Sequence, residues 1–518
     1  MKKYFKKISS LLAAMVMVLS MCVSVSADET AMTAVKPEAS LKTTVSVSGV
    51  EVNGTIEVNA YQIVKGSYNE YGFVEFVKAN ENLNIANVNA PTSEEVLAIA
   101  AAINNNSISL ESKQMTADNG IYSAEVNAGY WVVIVTGSGS KIYNPMLVSA
   151  YYSIEGSGSS SELIGTSVSA EDNWSLTGQN VYAKSSEITV DKEIVNPGSG
   201  NSSGDDVAIG DTVTFKITTQ IPEYTSQYNF TTEKDITFTI KDTLVKGLKG
   251  IKNVKVVVGE DDVTSDTSTV TISAHDENSN GFTVDFESDD YLITNAGKEV
   301  VITYDSVLTE AAGVNFNANP NEAELEYTNN PGSTSKTQDI TYHYTFEING
   351  EIVKVGEDDK ALENAEFTLF KAAVEDKETD GSTVKKWSYN AEKDVLKTAV
   401  SGEDGKLIFT GLDAGYYILK ETKAPTGYSL SDKETKIEIQ ASYKSDGTLE
   451  EYKIIVDESV TSDYTVEASN LTATNLPNTK LVSLPSTGGM GTYVFTIAGV
   501  ALMVLAVAIL FIKRRNKA

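Results

Sequence analysis

Cysteine is almost absent from this sequence of 518 residues, which contains only Cys22. Cys22 lies in an apolar stretch near the N-terminus that we predict below to be removed, so the mature chain has no disulfide. The two histidines, His275 and His343, have no cysteine partner and no ligand spacing, which argues against a zinc site. We therefore predict no metal centre, and stability must come from packing or from another kind of crosslink.

Positive charge is also scarce, with 41 Lys and Arg residues against 71 Asp and Glu residues. The formal net charge of −30 argues against nucleic acid or an anionic membrane surface as a partner. Glycine-rich phosphate loops, redox cysteine pairs and serine nucleophile elbows are lacking as well. The sequence therefore predicts a protein that is not an enzyme and needs no cofactor.

One motif does match a metal loop, because the residues from Asp276 to Glu287 satisfy the EF-hand pattern. However, Phe282 to Phe286 alternate like a β-strand, and flanking helices are not apparent. We favour a hairpin over a calcium site at this position.

The N-terminus has the pattern of an export signal. Four lysines among the first seven residues precede an apolar stretch from Leu11 to Val23, and Val25-Ser26-Ala27 offers small residues for a signal peptidase. A lipoprotein signal at Cys22 is the alternative, but Met21 is too large for the usual lipobox. We predict a signal peptide over residues 1–27.

The C-terminus has three parts in order. A five-residue motif precedes an apolar stretch from Tyr493 to Ile512, which is long enough to span a bilayer, and a basic tail follows that holds this end in the cytoplasm. The motif consists of Leu484, Pro485, Ser486, Thr487 and Gly488. This order resembles the cell-wall sorting signal of sortase substrates, over residues 484–518. The resemblance implies that a sortase attacks the Thr487 carbonyl and releases Gly488, so membrane contact lasts only until cleavage.

The residues between the two ends form short β-prone runs separated by Gly, Asn, Asp and Ser clusters, a pattern typical of β-sandwiches. Helical spacing is confined to the segment from Ser93 to Ile103. Linkers are indicated at Lys184-Ser185-Ser186 and at Asn330 to Ser333 with the polar run that follows. We predict an all-β protein of three tandem β-sandwich domains, at residues 28–185, 186–342 and 343–483.

Several motifs resemble those of one family. The residues from Leu419 to Tyr428 resemble the E-box of Cna B-type domains, with Glu, Thr, Ala-Pro and Gly-Tyr in the matching places. Asn180 to Lys184 resembles a pilin motif, although Ala183 replaces the usual proline. The middle segment opens with Thr189 to Lys192 and closes with Glu326 to Pro331, like the middle domain of backbone pilins. The chain is similar to major backbone pilins of Gram-positive sortase-assembled pili, which implies immunoglobulin-like and Cna-type domains.

The resemblance also implies spontaneous amide bonds between Lys and Asn side chains, assisted by a buried acid. In the third domain it selects Lys354 and Glu421, which share strand faces with apolar residues. The asparagine is predicted to be Asn475, on the last strand, and Asn470 remains an alternative.

In the middle domain the corresponding residues are Lys192 and Asp242, again on apolar strand faces. Asn329 is the predicted partner, because Asn330 points to the opposite face. The first domain has no Glu-Thr-x-Ala-Pro sequence after Ala128 to Val133, so we predict no internal bond there.

The lysine of the pilin-like motif, Lys184, is the predicted amine that attacks the sortase-bound Thr487 of the next subunit. The implied partners are pilus-specific (class C) and housekeeping sortases, identical pilin subunits, minor pilins and peptidoglycan. The implied function is the shaft subunit of a pilus that is covalently attached to the cell wall and supports adhesion. A monomeric wall-anchored adhesin built from the same domains is the alternative.

Overall fold

The structure is a computed structural model that describes residues 38–70, 72–154, 174–228, 234–245, 247–273, 276–379, 382–481 and 491–515. The predicted signal peptide, the motif from Leu484 to Gly488 and His275 lie outside these residues. The described chain contains 34 β-strands and three α-helices. This content confirms the all-β prediction.

The first domain combines three sheets with one helix. One sheet has the order β11-β1-β6-β5, a second has the order β10-β9-β7-β2-β3 with β4 paired to β2, and β12 pairs with β8. The elements are β1 (Thr43–Ser48), β2 (Glu57–Asn69), β3 (Gly72–Lys78), α1 (Ser93–Asn104), β4 (Ser112–Gln114), β5 (Thr116–Asp118), β6 (Ile121–Val126), β7 (Gly129–Thr136), β8 (Lys141–Tyr143), β9 (Met146–Ile154), β10 (Trp174–Gly178), β11 (Asn180–Tyr182) and β12 (Ser185–Glu187).

Strand β7 lies at the centre of this domain because both of its faces are apolar. Trp131 and Val133 belong to one hydrophobic cluster, whereas Val132 and Ile134 belong to a second cluster that includes helix α1. A continuous apolar run of this length is expected for a strand that is buried on both faces. Helix α1 begins in a capping box in which Thr92 and Glu95 satisfy each other's backbone N–H groups.

The middle domain is a sandwich of two sheets, with the orders β13-β15-β21-β17-β18 and β14-β23-β22-β16-β20-β19. Strands β15 and β21 alternate buried and exposed side chains along their lengths. The elements are β13 (Asp191–Ile194), β14 (Gly204–Asp206), β15 (Thr212–Gln220), a 3₁₀ turn (Ser226–Tyr228), β16 (Phe238–Leu244), β17 (Leu248–Val258), β18 (Asp261–Asp262), β19 (Val270–Ser273), β20 (Gly281–Phe286), α2 (Asp289–Thr294), β21 (Glu299–Leu308), β22 (Asn319–Asn330) and β23 (Ser333–Tyr344).

The second predicted linker was wrong. The residues from Asn330 to Ser333 form the tight turn of a hairpin, in which β22 and β23 pair along almost their whole lengths. The polar run after the turn is strand β23, whose side chains alternate with no exposed apolar residue. A strand with one solvated face is rich in polar residues, and in this respect its sequence resembles that of a linker. The predicted boundary at residue 342 falls inside β23, and the domain limits stay predictions.

The third domain also has two sheets, a small one with the order β28-β24-β34 and a large one with the order β26-β25-β29-β30-β31-β32-β33, in which β27 also pairs with β25. Its strands are β24 (Phe346–Gly356), β25 (Glu366–Thr379), β26 (Ser382–Ser388), β27 (Val395–Val400), β28 (Lys406–Leu412), β29 (Gly415–Lys423), β30 (Glu434–Tyr443), β31 (Leu449–Val456), β32 (Ser459–Thr465), β33 (Ser469–Leu471) and β34 (Thr474–Asn478). The first strand, β24, and the last strand, β34, run parallel and adjacent.

Helix α3 (Gly491–Arg515) follows the third domain. Its segment Val494–Arg515 is long and apolar enough to cross a membrane, with a mean hydropathy of 2.8. Lys513, Arg514 and Arg515 form its last turn.

Asp206 connects the middle and third domains. Its carboxylate accepts hydrogen bonds from the Tyr443 hydroxyl, at 2.7 Å, and from the Ala414 backbone N–H. Nearby, the Ile209 N–H donates to the Gly411 carbonyl at 3.1 Å. Burial raises the pKa of Asp206 from 3.8 to about 6, although both hydrogen bonds oppose this shift.

The raised pKa of Asp206 predicts that this contact weakens as the pH rises. The folded chain binds the proton more tightly than the unfolded chain, so the contribution is complete below pH 4 and is lost as the pH rises through 6. Asp206→Asn should remove this dependence. The measurement is the thermal unfolding midpoint of the wild type minus that of the variant, which should fall between pH 4.5 and pH 7.5. An equal difference at both pH values would contradict the prediction.

Candidate functional sites

The middle domain encloses a lysine and a carboxylic acid in direct contact. Strand β13 places Lys192 in the core, where its side chain is 1 % exposed, and strand β16 places Asp242 opposite it, also at 1 %. The Lys192 amine donates a hydrogen bond to Asp242 Oδ2 and another to the Tyr304 hydroxyl, at 2.9 Å. The rings of Phe215 and Tyr304 lie about the amine, with centroids at 4.9 and 5.1 Å.

This environment favours the uncharged forms of both groups. Burial lowers the pKa of Lys192, although the neighbouring Asp242 opposes the shift. Burial likewise raises the pKa of Asp242, against the effect of Lys192. A neutral amine is a nucleophile, and a protonated carboxyl is a proton donor. Burial therefore shifts both groups towards the protonation states that amide formation requires.

The structure places Asn321, and not the predicted Asn329, beside this pair. Asn321 is fully buried on strand β22, and its Nδ2 donates to the Tyr304 hydroxyl at 2.6 Å. In the register of β16 with β22, Asp242 faces Ala323 and Leu244 faces Asn321, so Asp242 and Asn321 are diagonal neighbours. Asn329 lies eight residues further along the strand, about 27 Å away.

Asn329 and Asn330 instead join the first two domains. The Nδ2 atoms of both residues donate to the Gly137 carbonyl, at 3.1 and 2.9 Å, and the Ser333 hydroxyl donates to the same oxygen. The Tyr327 hydroxyl donates to the Ser140 carbonyl at 2.9 Å. These residues form an interdomain contact.

The third domain contains an independent cluster of the same composition. Lys354 on β24, Glu421 on β29 and Asn478 on β34 are each no more than 2 % exposed. The Lys354 amine lies 2.5 Å from Asn478 Oδ1 and 3.5 Å from Glu421 Oε2. Asn478 Nδ2 donates to Glu421 Oε1 at 2.8 Å. A single carboxyl group therefore contacts both the amine and the amide.

The amine of Lys354 also lies in an apolar setting. Burial lowers the pKa of Lys354, and the nearby Glu421 opposes this shift. The ring of Phe367 lies 5.5 Å from the amine. Glu421 receives a further hydrogen bond from the Ser431 backbone N–H at 3.0 Å, which holds its carboxyl in place.

The structure does not bring Asn475 or Asn470 to Lys354 and places Asn478 there instead. Both of the predicted side chains are exposed, Asn475 on β34 and Asn470 on β33. Strand β33 ends at Leu471 and a new strand starts at Thr474, so side-chain alternation does not continue from one strand to the other. Within β34 the inward residues are Leu476 and Asn478, and this alternation is the signal that locates the site.

The partner in the middle domain had a weaker signal. Asn321 and Asn329 differ by an even number of residues, so both lie on the inward face of β22. Side-chain alternation determines which face of the strand a residue occupies, but it does not determine which residue of the neighbouring strand lies opposite. Only the pairing of β16 with β22 selects Asn321.

His343 belongs to the wall of the middle-domain site. Its imidazole is fully buried, and the Phe215 ring contacts it edge-on with centroids 5.0 Å apart. Burial and the nearby Lys192 lower the pKa of His343 to about 3. The ring is therefore neutral and adds bulk to the dry core around the amine.

The described lysines of the first domain are not buried. Each is at least partly exposed, and they are Lys42, Lys65, Lys78, Lys113, Lys141 and Lys184. An E-box would begin at the segment Ala128–Val133. Ala128 directly precedes the central strand β7, and the other residues of the segment belong to that strand. The lack of an internal bond in this domain stays a prediction.

Lys184 lies at the junction of the first two domains, between strands β11 and β12. The preceding residue, Ala183, is buried, and its N–H donates to the Ser48 carbonyl at 2.8 Å. Lys184 itself is exposed, and its amine contacts no hydrogen-bonding or charged partner among the residues that the structure describes. An enzyme can therefore reach this amine on a backbone that is fixed on both sides.

Three family models match separate parts of the chain. Residues 42–185 match the T6 antigen Ig-like domain, residues 349–453 match the SpaA prealbumin-like fold domain, and residues 476–518 match the LPXTG cell wall anchor motif. These matches define the chain as a wall-anchored surface protein made of β-domains.

The relatives identify the kind of surface protein. The chain is 27 % identical to the trypsin-resistant surface T6 protein of Streptococcus pyogenes serotype M6, over 90 % of this chain and 94 % of the relative. It is 24 % identical to the fimbrial subunit type 1 of Actinomyces viscosus, over 65 % and 66 %. Among solved structures, the T6 backbone pilin of S. pyogenes serotype M6 matches with a TM-score of 0.60 at 21 % identity, over 87 % of this chain and all of that one. These findings agree with the predicted resemblance to backbone pilins with a cell-wall anchor.

Proposed function

We propose that this chain is the repeating shaft subunit of a pilus, polymerised through Lys184 and finally attached to peptidoglycan. The observation that carries the proposal is that one chain holds both halves of a linkage. An exposed lysine in a pilin-like motif supplies the amine, and the LPXTG anchor motif supplies the carbonyl. A monomeric wall-anchored adhesin would need only the LPXTG anchor motif.

The chemistry of the linkage requires a sortase. Its cysteine attacks the Thr487 carbonyl, Gly488 leaves with the C-terminal helix, and a thioester remains. The Lys184 amine of the next subunit attacks this thioester, which forms an amide and releases the enzyme. A pilus-specific sortase extends the shaft in this way, minor pilins join by the same linkage, and a housekeeping sortase passes the last thioester to peptidoglycan.

We further infer two internal bonds, Lys192 to Asn321 and Lys354 to Asn478. In each, the neutral amine attacks the amide carbon, the nearby acid assists proton transfer, and ammonia leaves. Contact between the groups replaces an encounter in solution and removes about 7–11 kcal/mol of the barrier. The internal reaction is a single self-modification, so the chain is not an enzyme.

The position of the bonds suits a shaft under tension. Lys354 and Asn478 lie on the first and last strands of the third domain, which run side by side. Their bond would carry a pulling force from one end of the domain to the other covalently, without loading the hydrogen bonds between strands. The bond between Lys192 and Asn321 would close most of the middle domain into one loop. A crosslink around a loop of that length restricts the unfolded chain by about 5 kcal/mol.

Paired asparagine variants test the internal bonds. The intact mature protein should be lighter than its sequence by two ammonia molecules, because each bond releases one. Asn321→Ala and Asn478→Ala should each restore one ammonia and lower the thermal unfolding midpoint of their own domain. The matched controls, Asn329→Ala and Asn475→Ala, should retain both mass losses. The measurement is intact-protein mass spectrometry with peptide mapping.

An unmodified mass in the wild type would refute both bonds. A mass loss that remains in Asn321→Ala and disappears in Asn329→Ala would instead show that Lys192 bonds to Asn329.

Lys184→Ala tests polymerisation. Without this amine the thioester passes only to peptidoglycan, so the covalent ladder of high-molecular-weight species in wall extracts should disappear while monomer remains wall-attached. Lys141→Ala is the matched control, because Lys141 is a partly exposed lysine on β8, the strand that pairs with β12 at the same junction. Denaturing electrophoresis with immunoblotting of wall extracts is the measurement.

A ladder that persists in Lys184→Ala would reassign the acceptor lysine. A wild-type extract that contains monomer alone would favour the adhesin.

A further inference from the structure

Resting on the proposed bond between Lys192 and Asn321, we propose that Tyr304 is a catalytic residue of that reaction, which relays a proton from the amine to the departing amide nitrogen. The two internal sites differ in which side chain contacts both reacting groups. In the third domain it is the acid, whereas in the middle domain it is Tyr304. Strand β21 carries Tyr304, which is 1 % exposed.

In the third domain the acid bridges the reacting groups alone. Glu421 contacts the Lys354 amine through Oε2 and the Asn478 amide nitrogen through Oε1. A proton can therefore leave the amine and reach the amide nitrogen through one carboxyl group. The aromatic ring beside the amine belongs to Phe367, which has no hydroxyl.

In the middle domain the acid is shorter by one methylene group, and its hydrogen bonds do not include Asn321. Asp242 contacts the Lys192 amine through Oδ2, and its Oδ1 has no hydrogen-bond partner among the described residues. The Tyr304 hydroxyl fills the gap, because it receives hydrogen bonds from Lys192 Nζ at 2.9 Å and from Asn321 Nδ2 at 2.6 Å. It therefore contacts both nitrogen atoms whose bonds change.

The ring of Tyr304 is fixed by its neighbours. It stacks on Phe215, with centroids 5.2 Å apart and an interplanar angle of 19°, and it meets Phe282 edge-on at 4.8 Å. These contacts hold the hydroxyl between the two nitrogen atoms before the reaction begins, as proton transfer requires.

The relay balances in atoms and electrons. The lone pair of Lys192 Nζ forms a bond to the side-chain amide carbon of Asn321, and the amide nitrogen becomes pyramidal and basic. The Tyr304 oxygen takes a proton that derives from Nζ while its own hydroxyl proton passes to Nδ2. The bond from carbon to Nδ2 then breaks, ammonia leaves with the electron pair, and the hydroxyl returns to its starting state.

Tyr304→Phe removes the hydroxyl and keeps the ring, so it tests the relay. The rate of ammonia loss in the middle domain should fall by roughly 100-fold or more, the usual range for loss of a general acid–base group. The bond between Lys354 and Asn478 should form at its wild-type rate in the same molecule, which verifies that the third domain has folded. Time-resolved peptide mapping by mass spectrometry after synthesis gives both rates.

Tyr224→Phe is the matched control. Tyr224 is another buried tyrosine of the middle domain, but its hydroxyl donates to the Thr328 carbonyl, at 2.9 Å, and not to a reacting group. This variant loses a buried hydrogen bond and should retain the wild-type rate. An equal slowing in both variants would assign Tyr304 a structural role only.

A second substitution covers the case in which Tyr304→Phe prevents the middle domain from folding. Site-specific 3-fluorotyrosine at position 304 keeps the ring and the hydroxyl but makes the phenol a stronger acid. In the proposed relay the transfer of the hydroxyl proton to Nδ2 limits the rate, so bond formation should run at least twofold faster. An unchanged rate would overturn the proposal.

Failure of the proposed bond and failure of the relay give different results. A wild-type protein in which only the third domain forms its bond would refute the bond between Lys192 and Asn321. A wild type that forms both bonds, together with a Tyr304→Phe variant that forms them at the same rates, would refute only the role of Tyr304.

Discussion

The burial of a lysine amine against a carboxylic acid is the constraint on which the second and third domains depend. Each amine lies in a core of aromatic and aliphatic side chains, and a charged amine there would lose its hydration. A buried ion pair recovers only part of that loss, and removal of one partner leaves the other charge without compensation. The same burial favours the neutral amine and, at Asp242, the neutral acid. An arrangement that is costly for an ion pair is therefore well suited to a reaction that consumes the amine.

Strand order determines what such a bond does mechanically. In the third domain the lysine and the asparagine lie on neighbouring parallel strands at the two ends of the domain's sequence. In the middle domain they lie on the first strand and on the strand before the last, which the structure places in opposite sheets. The proposed bond in the middle domain would therefore join the two layers of the sandwich, whereas the proposed bond in the third domain would join the first and last strands of that domain within one sheet. Hydrogen bonds from the Asn329 and Asn330 side chains to the Gly137 carbonyl connect the middle domain to the first domain.

The sequence was sufficient to predict the all-β fold and the two buried lysine–acid pairs, but not the asparagine that the structure places beside each pair. Lys192 and Lys354 stand out because a lysine interrupts an apolar strand face, and the period of two is a local property. Asn321 and Asn329 share that face, so only the register between β16 and β22, a non-local property, separates them. Asn475 does lie on the last strand, as the family resemblance implied, but the inward residues of β34 are Leu476 and Asn478. The polar strand β23 was read as a linker because one of its faces is solvated.

In the proposed scheme, exposure explains why the linkage at Lys184 needs an enzyme and the bonds at Lys192 and Lys354 do not. Lys192 and Lys354 contact an acid and an amide in a core that excludes water, so folding itself supplies the orientation and the protonation states that catalysis requires. Lys184 lies in solvent at a domain junction, with no acid and no amide carbonyl in contact among the residues that the structure describes. The proposed bond at that position would therefore need a protein that delivers an activated carbonyl, and it would join only the chain that the enzyme carries. Under this proposal the fold separates the crosslinks that stiffen a subunit from the crosslink that connects subunits.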